Sequence, residues 1–141
     1  MTVVDASVAL KWFVEEEGSQ AARGLFEGRS PLEAPELLIA EVCNAGWRLA
    51  LSGALPWAQF DAMTKEVGGL IDRIWSLAPL ARRAGAIARR LRHPVYDCFY
   101  LALAEGRGTQ LITADRRLLE RLAASEWRSL GLDLYGLSRG S

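Results

Sequence analysis

Four carboxylates carry the chemistry this sequence can do: Asp5, Glu41, Asp97 and Asp115. Asp5 closes the apolar run Thr2-Val3-Val4, and Asp115 closes Leu111-Ile112-Thr113-Ala114. Either aspartate can serve simply as the N-cap of the helix that follows it. Two acids at the ends of parallel strands, however, lie on the carboxyl edge of a sheet, where open α/β sheets hold their ligands. Asp97 stands in residues 94–105, a segment apolar almost all round, with Tyr100, Leu101 and Ala104 on its own side at helical spacing. A helix apolar on every face is buried. A carboxylate buried there needs a cation, a metal or a raised pKa; on an exposed first turn it would only complement the helix dipole. Glu41 borders a core stripe of Leu38, Val42, Ala45 and Leu49, and taken alone reads as a solvated flank residue.

Periodicity alone does not bring these four together. If they converge, two unit charges 5 Å apart repel by about 3 kcal/mol at an effective dielectric of 20. Protons or a hard divalent cation must offset that repulsion. All-oxygen donors favour Mg2+ or Mn2+ over zinc, and such an ion activates water and steadies a phosphate oxygen. The chemistry that follows is phosphodiester hydrolysis.

Other chemistries are excluded by what the chain lacks. His93 is the only histidine, and Arg92-His93-Pro94 reads as a loop before a helix, a structural setting. Multi-histidine zinc sites are therefore impossible. Cys43 and Cys98 form neither a disulfide framework nor a CxxC pair, and no GxGxxG or GxxxxGK loop occurs. Residues 1–14 contain Asp5 and Lys11 and have no basic leader, so they read as no signal peptide. The expectation is a soluble protein of the reducing cytoplasm, built as one domain over its 141 residues.

The elements that must position the acids follow from apolar spacing. Strands are expected at 2–5, at the end of 30–35, and at 72–77, 110–113 and 132–135. Helices are expected at 6–14, 18–28, 36–52, 56–67, 79–92, 94–105 and 115–124, with Pro94 at the first helical position. Leu80, Ala84, Ile87 and Leu91 form the inward stripe of 79–92. Short apolar strands alternating with helices imply a parallel sheet covered on both faces, a three-layer α/β/α domain.

Net charge is zero, yet residues 1–70 carry five basic and ten acidic side chains and residues 71–141 twelve and seven. Fifteen of the seventeen cations are arginine, suited to bidentate phosphate contact. Solvated helix faces account for such a pattern equally well. Arg116 and Arg117, beside Asp115, are candidates for phosphate contact; Arg82 with Arg89 and Arg83 with Arg90 form two further ridges.

Four segments together resemble the PIN-domain ribonucleases, specifically the VapC-type toxins of toxin–antitoxin systems. They are Val3-Val4-Asp5-Ala6-Ser7, Pro35-Glu36-Leu37 running to Glu41-Val42, Tyr96-Asp97 through Ala104, and Leu111-Ile112-Thr113-Ala114-Asp115. Each is weak alone; in this order and spacing the set is specific. The resemblance implies a five-stranded parallel sheet and a Mg2+ or Mn2+ site in a metal-dependent endoribonuclease. It carries over to Asp5, Glu41, Asp97 and Asp115 as the acidic quartet. Asp5 and Asp97 are then direct metal ligands, Glu41 and Asp115 bind directly or through water, and Ser7 and Thr113 support. Arg116 and Arg117 occupy the place of a fifth acid sometimes found there. The resemblance further implies an RNA substrate, a VapB-type antitoxin and pairing of two copies through helices. A receiver domain would need a late lysine, and Lys11 and Lys65 are both early; a haloacid-type phosphatase would need Asp-x-Asp where Asp5-Ala6-Ser7 stands. A catalytically silent module that binds RNA or a partner is the competing reading.

The helix over 36–52 has a second apolar face of Ala40, Cys43, Trp47, Ala50 and Leu51, followed by Leu55, Trp57 and Phe60. It must meet either the next helix or a partner.

Overall fold

Strand β1 (Thr2–Val4) is only three residues long, yet everything else is arranged about it. The computed structural model describes residues 1–28 and 30–137. After β1 come α1 (Ala6–Ala9), a 3-10 turn at Leu10–Trp12, α2 (Ser19–Gly24), β2 (Leu32–Pro35) and α3 (Leu37–Leu51). Then follow α4 (Trp57–Glu66), a 3-10 turn at Val67–Leu70, β3 (Arg73–Trp75), α5 (Ala78–Leu91), α6 (Val95–Arg107), β4 (Leu111–Thr113), α7 (Arg116–Ala123), β5 (Gly131–Asp133) and α8 (Leu134–Leu137). The strands form one parallel sheet in the order β3-β2-β1-β4-β5. This is the expected α/β/α architecture with five strands.

The chain builds outward from β1 through β2 to β3, then crosses to β4 and β5 on the other side. The order therefore reverses between β1 and β4, where Val3 and Val4 register with Leu111 and Ile112. A sheet of this kind opens a crevice at that reversal, beyond the carboxyl ends of the strands. The strands can be so short because both faces are covered: Val3, Val4, Leu32, Ala34, Leu111 and Ile112 are all buried. Helix α6 packs on β1, β2 and β4, with α5 laid against it. Glu33 is the exception in the sheet, buried with Arg107 Nε at 3.2 Å and Trp75 Nε1 at 3.0 Å from its Oε1. A buried charge persists only when paired in this way.

Several expected boundaries shift. The helical run after Asp5 tightens at Leu10 and then turns, so that Lys11 Nζ meets Glu16 Oε1 (3.1 Å) and the Glu17 carbonyl (2.7 Å). Pro94 is the N-cap of α6 rather than its first residue, with extended backbone (ψ 140°), because Arg92 has already ended α5 in the left-handed region. The last strand stops at Asp133, whose Oδ1 accepts from Tyr135 N (3.0 Å) and turns Leu134 and Tyr135 into α8.

The second face of α3 is divided. Gly46 and Ala50 are buried, while Ala45 and Leu49, expected in the core stripe, are only half-buried. The cause is close approach of α4: a Cβ at Gly46 would stand 2.3 Å from Met63 Sδ, and Met63 is itself buried. Beyond that seam Trp47, Leu51 and Trp57 remain exposed, at 45%, 64% and 51%. Gly46→Val should force α4 outward and lower stability by about 1–3 kcal/mol, the usual cost of overpacking. Urea unfolding measures it, and an unchanged midpoint would contradict the seam.

Candidate functional site

At the β1–β4 seam two hydroxyls and one carboxylate are knitted into a network. Asp5 follows β1 directly and caps α1, its Oδ1 accepting from Val8 N at 3.3 Å. The Ser7 hydroxyl donates to the same oxygen at 2.5 Å. Ser7 Oγ in turn accepts from Ala114 N at 2.9 Å and stands 3.3 Å from Thr113 Oγ1, which accepts from Asp115 N at 3.0 Å. The N-cap position and the place at the sheet's carboxyl edge are thus not alternatives for Asp5; one side chain has both. Asp5 is 4% exposed. Burial pushes its carboxyl up to about 6, against the pull of Ser7, Thr113 and the Val8 N–H, and the negative charge of Asp97 pushes the same way.

Asp97 was expected to be the buried acid, on an evenly apolar helix. Its carboxyl is instead a quarter exposed and meets His93 Nε2 at 2.5 Å. The reason is that α6 starts at Val95, so its first turn projects beyond the core; Val95 and Tyr96 are exposed, and burial begins in earnest at Cys98. Glu41 is half-buried, and Tyr100 donates its hydroxyl to Glu41 Oε1 at 2.6 Å. Burial raises the Glu41 carboxyl, the Tyr100 bond opposes this, and Asp97 adds to it. Burial, with Glu41 beside it, holds the Tyr100 hydroxyl far above its ordinary range, so it stays a donor. Asp5, Glu41 and Asp97 therefore share one electrostatic neighbourhood.

Asp115 stands at the same sheet edge but faces α7, its Oδ1 accepting from Arg117 N (3.0 Å) and Leu118 N (3.2 Å). Arg116 and Arg117 are exposed beside it. Among the described residues no three acidic, histidine or cysteine side chains stand close enough together to hold a metal ion. Asp97 is turned to His93, Glu41 to Tyr100 and Asp115 to the α7 amides. The donor chemistry nonetheless suits a hard cation: the groups offer oxygen, and among the described residues no Lys or Arg forms an ion pair with any of the four acids. The sequence reads His93 as a structural loop residue and Tyr100 as a neighbour of Asp97; the structure instead gives His93 to Asp97 and Tyr100 to Glu41. Only the His93 pairing has a signal in the sequence, a histidine four residues before Asp97; the Tyr100 pairing crosses from α6 to α3.

A family model described as PIN domain matches residues 2–124. Ribonuclease VapC3 of Pyrobaculum aerophilum is 34% identical over 124 residues, covering 86% of this chain and 95% of that protein. The crystal structure of PAE2754 from the same organism superposes with a TM-score of 0.73 at 27% identity, over 96% of this chain and 90% of that one. A toxin-antitoxin complex from Klebsiella pneumoniae shares the fold, with a TM-score of 0.69 at 15% identity over 96% and 98% of the two chains.

The raised Asp5 carboxyl has a consequence for stability. Below its unfolded value of 3.8 the group is protonated in both states; between there and about 6 only the folded state keeps the proton. Its contribution is therefore lost as pH rises through about 6, a swing of up to about 3 kcal/mol. In metal-free buffer, wild type should lose stability relative to Asp5→Asn between pH 4 and pH 7. Parallel urea-unfolding curves for the two proteins across that range would show that Asp5 is not buried as an acid.

Proposed function

Because this chain belongs to the PIN-domain family, with a VapC ribonuclease among its relatives, we propose that it is a divalent-metal-dependent endoribonuclease of the toxin kind. The observation that carries the reading is Asp5, a buried acid with no basic partner among the described residues, at the sheet's reversal point and in the field of Asp97. Asp5 and Asp97 would hold Mg2+ or Mn2+, with Glu41 and Asp115 contributing directly or through water. The ion supplies Lewis acidity toward a phosphodiester and toward water.

The chain's own groups set the stage for that chemistry. Ser7 and Val8 N–H fix the Asp5 carboxylate, and Thr113 ties it to β4. His93 and Tyr100 orient Asp97 and Glu41. Arg116 and Arg117, at the start of α7, take RNA phosphates as these approach. A VapB-type antitoxin would silence such a site by placing an arginine among the acids, replacing the ion's charge without its chemistry. The toxin-antitoxin complex from Klebsiella pneumoniae, alike in fold, supports a partner of this kind. A toxin acting on cellular RNA would work in the cytoplasm.

Asp97→Asn removes charge and keeps shape. It should cut single-stranded RNA at least about 100-fold more slowly, beyond the 10–100-fold that loss of an outer-shell partner costs. It should also lose the Mg2+-dependent rise in melting temperature. Cleavage at the wild-type rate would remove Asp97 from the site; RNA binding by wild type without any cleavage would favour the silent module.

The exposed Trp47, Leu51 and Trp57 support pairing of two copies through α3 and α4. Sedimentation at tens of micromolar should show a dimer for wild type and a monomer for Trp47→Glu. A wild-type monomer, or a variant that associates unchanged, rejects that interface.

A further inference from the structure

The arginines that the sequence scatters over two helices converge in space. Arg90, in the last turn of α5, and Arg117 and Arg121, one turn apart on α7, line a single cleft of about 480 Å³ together with Leu91, Ala124 and Glu120. We propose that this cleft is a binding track for the phosphates of a single-stranded RNA, continuing the strand away from the acidic site; the inference rests on the ribonuclease reading above.

Three observations support it. The cleft lies beside Asp115, because Arg117 both lines it and donates its backbone N–H to Asp115 Oδ1 at 3.0 Å. Its charge is unspent, since Arg117 and Arg121 form no ion pair among the described residues. As an i,i+4 pair on the exposed side of α7, they have Cβ atoms about 5–6 Å apart, while Leu118 and Leu122, on the neighbouring face, anchor the helix in the core. Arg90 is held ready rather than locked. It lies 5.9 Å from the ring centroid of buried Trp127 and bonds Glu126 at 2.8 Å, but both members of that pair are at least half exposed. An exposed pair of this kind is worth little and exchanges readily for a phosphate.

The walls narrow the ligand further. A space of this size takes one nucleotide unit at a time, not a duplex. The lining carries three cations against one carboxylate and has apolar patches at Leu91 and Ala124. It therefore suits a flexible polyanion with ribose or base surface to rest there. The three other arginines of the expected ridges divide differently: Arg83 is committed to Glu105, while Arg82 and Arg89 lie exposed on α5 outside the cleft.

The test is the salt dependence of binding of a fluorescein-labelled single-stranded oligoribonucleotide, read by anisotropy with Mg2+ present, in full-length protein carrying Asp97→Asn to suppress cleavage. Each phosphate contact on a single strand contributes about 0.7 to the slope of log K against log salt. Arg90→Gln and Arg121→Gln should each flatten the slope by about that amount, and the double variant by about 1.4. Arg82→Gln should leave it unchanged. Unaltered slopes in both cleft variants, or an equal loss in Arg82→Gln, overturn the track. The two readings fail differently. If the protein neither binds nor cuts RNA, the ribonuclease reading falls; if it does both and the slopes stay put, only the cleft falls.

Discussion

The structure depends on a carboxylate that is dehydrated without being neutralised. Asp5 sits at the end of the central strand, where water is excluded, and what surrounds it is hydroxyl and amide, not cation. Glu33, one strand away, shows the alternative solution: equally buried, it is matched by Arg107 and the Trp75 indole. The fold thus contains two buried acids treated in opposite ways. One is balanced and holds the sheet to α6; the other is left with its charge uncompensated, which costs folding stability at neutral pH and creates affinity for something positive.

That imbalance explains why the polar network runs between elements distant in the chain. Ser7 and Thr113 are 106 residues apart, yet their hydroxyls meet because β1 and β4 are neighbours at the sheet's reversal. Parallel neighbours register their ends, so the residues just past two such ends inevitably share a space. The acids of α3 and α6 reach the same neighbourhood from helices, and both are held by partners on α6 or just before it, Tyr100 and His93.

Much of this was legible from the residues. The apolar runs ending in Asp5 and Asp115 gave the strands and their carboxyl edge, and the ordered segments gave the family. What misled was the assumption that a helix apolar all round is buried all along. The first turn of α6 escapes the core, so Asp97 is open to its neighbours while Asp5 is the enclosed acid. Helical periodicity also could not tell that Gly46, having no side chain, draws α4 against α3 and shifts the buried stripe toward Ala50. Tertiary approach decided both, and neither leaves a mark in local spacing. The meeting of Arg90 with Arg117 and Arg121 is of the same kind, a product of packing between helices far apart in sequence.

The sheet's two outer strands, β3 and β5, are each three residues long. On β3 the Arg73 guanidinium lies 3.7 Å from the Trp75 ring centroid, so the rim carries a stacked cation. Short, charged rims discourage an incoming strand. A protein of this shape is poorly suited to recruit partners by extending its sheet. Such a sheet leaves the helices and the loops between them as the surfaces on which another macromolecule could rest, and two of those helices, α3 and α6, also carry Glu41 and Asp97.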